Sequence, residues 1–261
     1  GWGLDYLNHD WWPYRSISPA HPDRAWLPTP SPLMDSALHQ ISRDIYYSLC
    51  QYGMGDVWKW GAEVDGNSWR TTGDIRDNWG SMSKIGFNQE AAAPYSAPGH
   101  WNDPDMLVVG LVGWGPRVHA SGLTPDEQYT HISLWSMLAA PLLIGCDMRS
   151  LDPFTLNLLT NDEVLAVDQD PLGKAAMQVA SSDSVLVYER TLVDGSRAVG
   201  VFNIGSKPAS MQLSMQVLGL TGRQKVRDLW RQKDMGAVTG SYQVKDIPTH
   251  GVYLYKITPA P

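Results

Sequence analysis

Cysteine is scarce in this 261-residue chain: there are two, Cys50 and Cys146, far apart and set among apolar residues. Without a CxxC pair or a dense cysteine framework, neither a disulfide scaffold nor a thiolate metal site is expected, and both are read as buried thiols. Long apolar runs are missing too. Nothing approaches the roughly 20 consecutive apolar residues that a bilayer helix needs, so no membrane partner is expected. The start of the chain has no charged-then-apolar secretion signal. Position 1 is Gly instead of Met, as expected of a processed chain or a fragment. Basic runs are also absent: Lys and Arg of the last third alternate with apolar residues, which argues against a nucleic-acid partner.

What the chain does have is unevenly spread. Residues 1–170 carry 9 Lys+Arg against 21 Asp+Glu, and residues 171–261 carry 11 against 6, within a net charge of −7. Eleven of the 12 tryptophans lie at or before Trp135. Indoles concentrated in an acidic region suit a sugar-binding cleft, where rings stack on pyranose faces and carboxylates take hydroxyls, although Trp is also an ordinary core residue.

Gly3 to Asp10 reads as a short strand with a polar end. Residues 11–32 come next as a loop holding Pro13, Pro19, Pro22, Pro28, Pro30 and Pro32, too proline-rich for helix or central strand. Its Trp11, Trp12, Tyr14 and Trp26 point to a functional loop. Met34, Leu38 and Ile41 recur at helical spacing, predicting a helix over about 32–43. A second strand runs from Asp44 to Cys50, a third ends in Asn67–Ile75, and a helix covers about 77–85. Thr124-Pro125-Asp126-Glu127 predicts a capped helix start, with Ile132, Trp135 and Leu138 or Ala139 as its buried stripe. Pro141–Asp147 reads as another buried strand, Asp152-Pro153 opens a helix, and Asn161 caps one more. Beyond Gly173 the pattern changes to short alternating strands at 185–188, 198–202, 211–213, 225–229, 242–244 and 252–255, an antiparallel β-sandwich.

Before that change strands alternate with helices, as in parallel α/β architecture. Asp10, Gln51, Asp74 and Asp105 all come just after strands, and strand C-terminal ends form the mouth of a (β/α)8 barrel, where active sites sit. About five of eight strand-helix units are present. The expected organisation is residues 1–172 as the C-terminal part of a TIM-type barrel and 173–261 as the sandwich.

Trp69, Arg70 and Asp74 put an indole, a fixed cation and a carboxylate within six residues. They read either as recognition chemistry, or as a turn in which Arg70 pairs with Asp74 and Trp69 packs on a core. Asp10 and Asp74, two units apart, could face each other as the carboxylate pair of glycoside hydrolysis. The plain structural alternative makes Asp10 a cap of the proline-rich loop and Asp74 a cap of the helix near residue 77. A metal set of His9, Asp10, Asp103 and Asp105 is disfavoured, because Asn102-Asp103-Pro104-Asp105 lacks the Gly and terminal Glu of a calcium loop.

The segments Asn67–Ile75, Gly99–Leu107, Ala140–Asp147 and Asn161–Gly173 together resemble glycoside hydrolase family 27, the α-galactosidase (melibiase) family, from its fourth barrel strand to its C-terminal β domain. The resemblance implies a retaining, double-displacement exo-glycosidase without metal or other cofactor. Asp10 would be the nucleophile and Asp74 the general acid/base. Arg70 would bind the sugar near its 2-position, Asp105, Met106 and Cys50 would line the pocket, and Trp69 belongs to the same stretch. Two departures stand out: Asn8 where a lysine is usual, and Gln51 where glutamate is common. Both keep hydrogen-bonding capacity while removing a charge of each sign, and the bulk of Gln51 speaks against a 2-N-acetyl group. The implied partner is an oligosaccharide or glycoside with a terminal galactose-like sugar, and the family is commonly exported. Upstream strands that read the other hydroxyls are expected to be needed for activity. The competing expectations are a β-L-arabinopyranosidase, or a catalytically silent sugar-binding fragment.

Overall fold

Strands β1 (Tyr6–Asp10), β2 (Tyr46–Cys50), β3 (Ser68–Arg70) and β4 (Trp101–Asp103) lie side by side in chain order in a computed structural model, which describes residues 3–16, 29–113 and 115–260. All three pairings are parallel, and Asp10 sits opposite Cys50, Leu49 opposite Trp69 and Arg70 opposite Asp103. Because side chains alternate along a strand, this register sorts residues onto two faces. One face carries Leu7, Tyr47, Leu49 and Trp69, which pack with Val57, Val64 and Leu38 in a small apolar core. The other carries Asn8, Asp10, Ser48, Cys50, Ser68, Arg70 and Asp103. That polar face is the interior of a partial barrel.

The connections are helical: α1 (Pro30–Leu38), α2 (Trp79–Gly86), α3 (Pro125–Met137), α4 (Pro153–Thr160) and α5 (Asp162–Asp168), with a small hairpin of β5 (Leu111–Val112) and β6 (His119–Ala120). Local chemistry sets several helix starts. Thr124 and Glu127 form a reciprocal capping box on α3, Asp152 accepts from the backbone of Phe154 and Thr155 to open α4, and Asn161 does the same for α5.

Three expectations are corrected. The first helix stops at Leu38, short of Ile41, which is 45% exposed. Pro141–Asp147 is not a buried strand: only Ile144 bridges Leu107, and Leu143 and Ile144 are exposed. Its backbone bonds to the preceding segment are scattered, Leu107 pairing with Leu143 and Gly145 and Leu111 with Asp147, so no run of consecutive residues builds a ladder. Finally, α3 has no single buried stripe, for Glu127, Gln128 and every residue from Thr130 to Met137 are buried. Its polar residues have tertiary partners instead: Gln128 donates to the Leu123 carbonyl, Thr130 to the His250 carbonyl, and Ser133 accepts from the Trp230 indole. Trp26 and the rest of the proline-rich loop from 17 to 28 lie outside the described residues.

After α5 come β7 (Met177–Ser182), β8 (Val185–Thr191), β9 (Arg197–Asn203), β10 (Ala209–Ser214), β11 (Arg223–Asp228), β12 (Lys233–Thr239), β13 (Ser241–Ile247) and β14 (Val252–Pro259). Six form an antiparallel sheet in the order β12-β11-β14-β9-β8-β7, and β10 and β13 pair separately. The six expected strands are present. The two unanticipated ones, β7 and β12, are the sheet's edges, whose largely exposed residues show little alternation. Val187, Val199, Val201 and Ile257 pack against Leu213, Val244 and Ile247 to close the sandwich. The opposite face of the large sheet buries Tyr188, Phe202 and Leu254 in one core with Leu134, Trp135 and Met137 of α3. The architecture is thus a partial TIM-type barrel joined through α3 to an antiparallel β-sandwich, and no helix among the described residues is long and apolar enough to cross a membrane.

Candidate active site

Asp10 closes β1, and its Oδ1 accepts from the Trp12 backbone N–H and from the Tyr52 hydroxyl, each at 2.9 Å. Tyr52 comes after β2 in a left-handed conformation (φ 56°), which turns its ring toward the neighbouring strand ends. The Arg70 guanidinium lies 5.5 Å from the centre of that ring. One Nη of Arg70 then reaches Asp74 Oδ1 at 3.1 Å and Asp105 Oδ2 at 2.8 Å. A continuous set of contacts therefore runs Asp10–Tyr52–Arg70–Asp74 across the C-terminal ends of β1, β2 and β3. Gly53 ties the loops together: its N–H donates to the Arg70 carbonyl, its φ is +78°, and a Cβ there would lie 2.3 Å from the Thr71 carbonyl oxygen.

Burial separates the roles. The Asp74 side chain is 80% exposed, whereas that of Arg70 is 11% and that of Asp105 is 10% exposed. Desolvation works against the Arg70 charge, but Asp105 and Asp103 outweigh it and hold the guanidinium protonated. Asp103, almost fully enclosed, is pushed up to about 6 by burial, with Arg70 and the Asp105 N–H pulling the other way. Burial also raises the Cys50 thiol, and raises the Tyr52 phenol together with its bonds to Cys50 and Asp10.

Asp105 occupies φ +94°, outside the regions comfortable for a side-chain-bearing residue. Its own Oδ1 accepts from Met106 N–H and its Oδ2 from Ile75 N–H, both at 2.8 Å. Met106 is thereby fixed beside Asp105, half-buried.

Of the residues singled out in the sequence, Asp10, Cys50, Arg70, Asp74 and Asp105 gather here. Asn8 lies on the same sheet face one turn of the pleat below Asp10 and is exposed. Gln51 is 2% exposed. Trp69 does not join them: it is fully buried on the opposite face and donates to Asn102 Oδ1 at 2.8 Å, so it packs a core and offers no ring to a sugar. Cys146 is half-buried, less enclosed than expected, and both thiols are free. Tyr52 is the residue that sequence reasoning missed; its position two residues beyond a strand already assigned to the mouth was the available signal.

His9, Asp10, Asp103 and Asp105 do not assemble as a metal set, since His9 points to the helix-side face and bonds Tyr47 and Tyr14. Asp35, His39 and Asp65 bring one ligand atom each within 4.8 Å, at the other end of the sheet. That contact is already satisfied by His39 bridging the two carboxylates at 3.1 Å each. A cavity of about 340 Å³ bounded by Tyr46, Trp101, Pro141 and Asp168 also lies at the N-terminal strand ends, away from Asp10 and Asp74.

Both parts of the chain match known protein families. Residues 1–170 match the family described as Alpha galactosidase A, and residues 182–257 match the Alpha galactosidase C-terminal beta sandwich domain. Alpha-galactosidase 3 of Arabidopsis thaliana is 39% identical over 99% of the chain, and the alpha-galactosidase of Cyamopsis tetragonoloba is 38% identical over 99%. The chain spans 56% and 59% of the lengths of these two relatives. Among solved structures, alpha-galactosidase I from Mortierella vinacea superposes with a TM-score of 0.89 at 27% identity, covering 99% of this chain and 69% of that one. A family 27 β-L-arabinopyranosidase from Geobacillus stearothermophilus gives 0.87 at 30% identity, covering 99% and 59%. With both of its parts matched in order, the chain belongs to the α-galactosidase family, glycoside hydrolase family 27.

Proposed function

We propose that the chain carries the catalytic pair of a retaining exo-glycosidase that hydrolyses terminal α-D-galactosyl residues of oligosaccharides or glycosides. The reading is carried by the contact set Asp10–Tyr52–Arg70–Asp74, which joins two carboxylates with different surroundings at the ends of β1 and β3, on either side of β2. Residues 1–172 would supply the chemistry and 173–261 would buttress it through α3.

In the first displacement, an oxygen of Asp10 attacks the anomeric carbon as the glycosidic bond breaks, and Asp74 gives its proton to the leaving oxygen. Both observed hydrogen bonds end on Asp10 Oδ1, so Oδ2 is the oxygen assigned to attack. In the second, Asp74 takes a proton from water, the water oxygen attacks the same carbon, and the Asp10 ester is released. Exposure suits Asp74 to trading protons with solvent and leaving group. Arg70, held by Asp105, is left to orient Asp74 and a hydroxyl near the sugar's 2-position.

A second reading, β-L-arabinopyranoside hydrolysis, is favoured by the 30% identity and 0.87 TM-score to the Geobacillus enzyme. That sugar is galactose without its 6-CH2OH. Turnover of nitrophenyl α-D-galactoside and nitrophenyl β-L-arabinopyranoside, with the first-formed anomer tracked by NMR, separates the two. Retention and loss of turnover in Asp10→Asn are expected. An inverted first product, or an Asp10→Asn protein as active as the wild type, overturns the assignment; sugar binding with no turnover of either glycoside favours the silent-fragment alternative.

A further inference from the structure

The Asp105 conformation that holds Arg70 is costly, and one of the groups that maintain it lies on α3, outside the site. A residue at φ +94° costs on the order of 1–3 kcal/mol unless its surroundings over-determine it. Two groups grip its backbone. The buried Asp103 carboxylate accepts the Asp105 N–H at 2.8 Å, and the Trp135 indole N–H donates to the Asp105 carbonyl at 2.7 Å.

Trp135 is itself fixed from every side. It is fully buried in the last turn of α3, edge-on to His131 with ring centres 4.1 Å apart, and packed against Gly86 of α2, where a Cβ would come within 2.7 Å of its ring. One turn earlier on α3, His131 Nε2 accepts the Val108 N–H at 3.1 Å. The helix therefore holds the chain at 105 and at 108, and Met106 lies between the two grips.

We propose that Trp135 is a positioning residue for the acid/base: its indole N–H locks the Asp105 carbonyl, so that the Asp105 carboxylate is aimed at Arg70 and the Ile75 N–H, the two groups that flank Asp74. The proposal rests on the glycosidase reading for its catalytic consequence, and on geometry alone for its structural one. When the donor is lost, the Asp105 carbonyl is buried without a partner and the strained backbone is free to relax toward negative φ. The carboxylate then swings away from Arg70, and Arg70 loses the contact that orders it against Asp74. Asp10, on β1, makes no direct contact with this chain of groups except through the Tyr52 ring, so nucleophilic attack is affected far less than proton delivery.

That asymmetry supplies the test. Trp135→Phe keeps an aromatic ring on α3 and removes the donor; 3-benzothienylalanine at position 135 keeps the bicyclic shape and removes only the N–H, which covers the case in which the phenylalanine variant does not fold. In either protein, kcat/KM for a methyl glycoside, whose alkoxide must be protonated as it leaves, is expected to fall about tenfold or more, the scale of an unsatisfied buried carbonyl. For a dinitrophenyl glycoside, whose phenolate leaves unprotonated, the fall is expected to be at least about fivefold smaller, because both substrates share the Arg70 contact to the sugar while acid catalysis contributes little to the second. An equal loss on both substrates would mean a merely structural role, and no loss on either would also overturn the proposal. A crystal structure of the variant gives the second readout: Asp105 at negative φ with its contact to Arg70 broken supports the inference, and an unchanged Asp105 refutes it. If the wild type cleaves neither glycoside, the glycosidase reading fails by itself while the crystallographic arm still decides whether Trp135 positions Asp105.

Discussion

Replacing Asp103 by asparagine isolates the cost of keeping a carboxylate in the enclosed floor of the site. Asp103 is 2% exposed, and its Oδ1 accepts the Asp105 N–H, a bond that an asparagine Oδ1 can also accept. Burial raises the carboxyl from an ordinary 3.8 to about 6, even with Arg70 opposing the rise. Folding therefore favours the protonated form. The stabilisation this provides is complete below about pH 4 and is lost as pH climbs through about 6. At 1.36 kcal/mol per pH unit, the difference amounts to roughly 3 kcal/mol. Asparagine does not titrate, so the stability of Asp103→Asn minus that of the wild type should grow by roughly 3 kcal/mol between pH 4 and pH 7.5. Asp168, pushed up to about 7 mainly by burial, adds a slope of the same sign to both proteins and cancels in the difference. Urea unfolding monitored by tryptophan fluorescence at pH 4, 5, 6 and 7.5 measures it. A difference that stays constant to within about 1 kcal/mol, the precision of the extrapolation, would refute the reasoning; a difference that shrinks with pH would mean that Arg70 pairing, not burial, governs Asp103.

Other perturbations test the remaining joints. Gly53→Ala places a Cβ 2.3 Å from the Thr71 carbonyl at φ +78°, and should lower the urea midpoint by the equivalent of at least about 2 kcal/mol while loosening the Tyr52 loop. Thr124→Ala removes the acceptor for the Glu127 N–H and one half of the capping box of α3; about 1 kcal/mol of stability should be lost, with no effect on the pH profile of activity. Tyr52→Phe deletes the hydroxyl that donates to Asp10, a charge-assisted bond, and kcat should fall roughly tenfold or more with little change in thermal midpoint. An unchanged kcat would show that Asp10 does not depend on Tyr52 for its orientation.

Much of this protein was legible in the order of its residues because the relevant chemistry is local. A capping box needs only Thr124 and Glu127 three positions apart, an Asp152-Pro153 start needs only two neighbours, and Val185–Tyr188 alternates whatever lies beside it. The same holds for the strand-end placement of Asp10, Cys50, Arg70, Asp74 and Asp105, since polar residues directly after apolar segments mark where strands stop.

Tertiary structure decided the features that depend on neighbours distant in the chain. Trp69 and Arg70 are adjacent in sequence, yet the pleat sends one into a closed core and the other into the site, and only the register with β2 and β4 says which. The apolar run at Pro141–Asp147 does not form a strand ladder, because its backbone meets the preceding segment only at Leu107 and Leu111. A helix reading as half-polar, α3, is buried all round because residues of the sandwich and of the 105–123 segment satisfy it from both sides. Tyr52 joins Asp10 to Arg70 only because the chain turns through a left-handed conformation after β2. A sequence determines which groups are available and where strands end; which of them face each other is set by sheet register and by the two layers that close on α3.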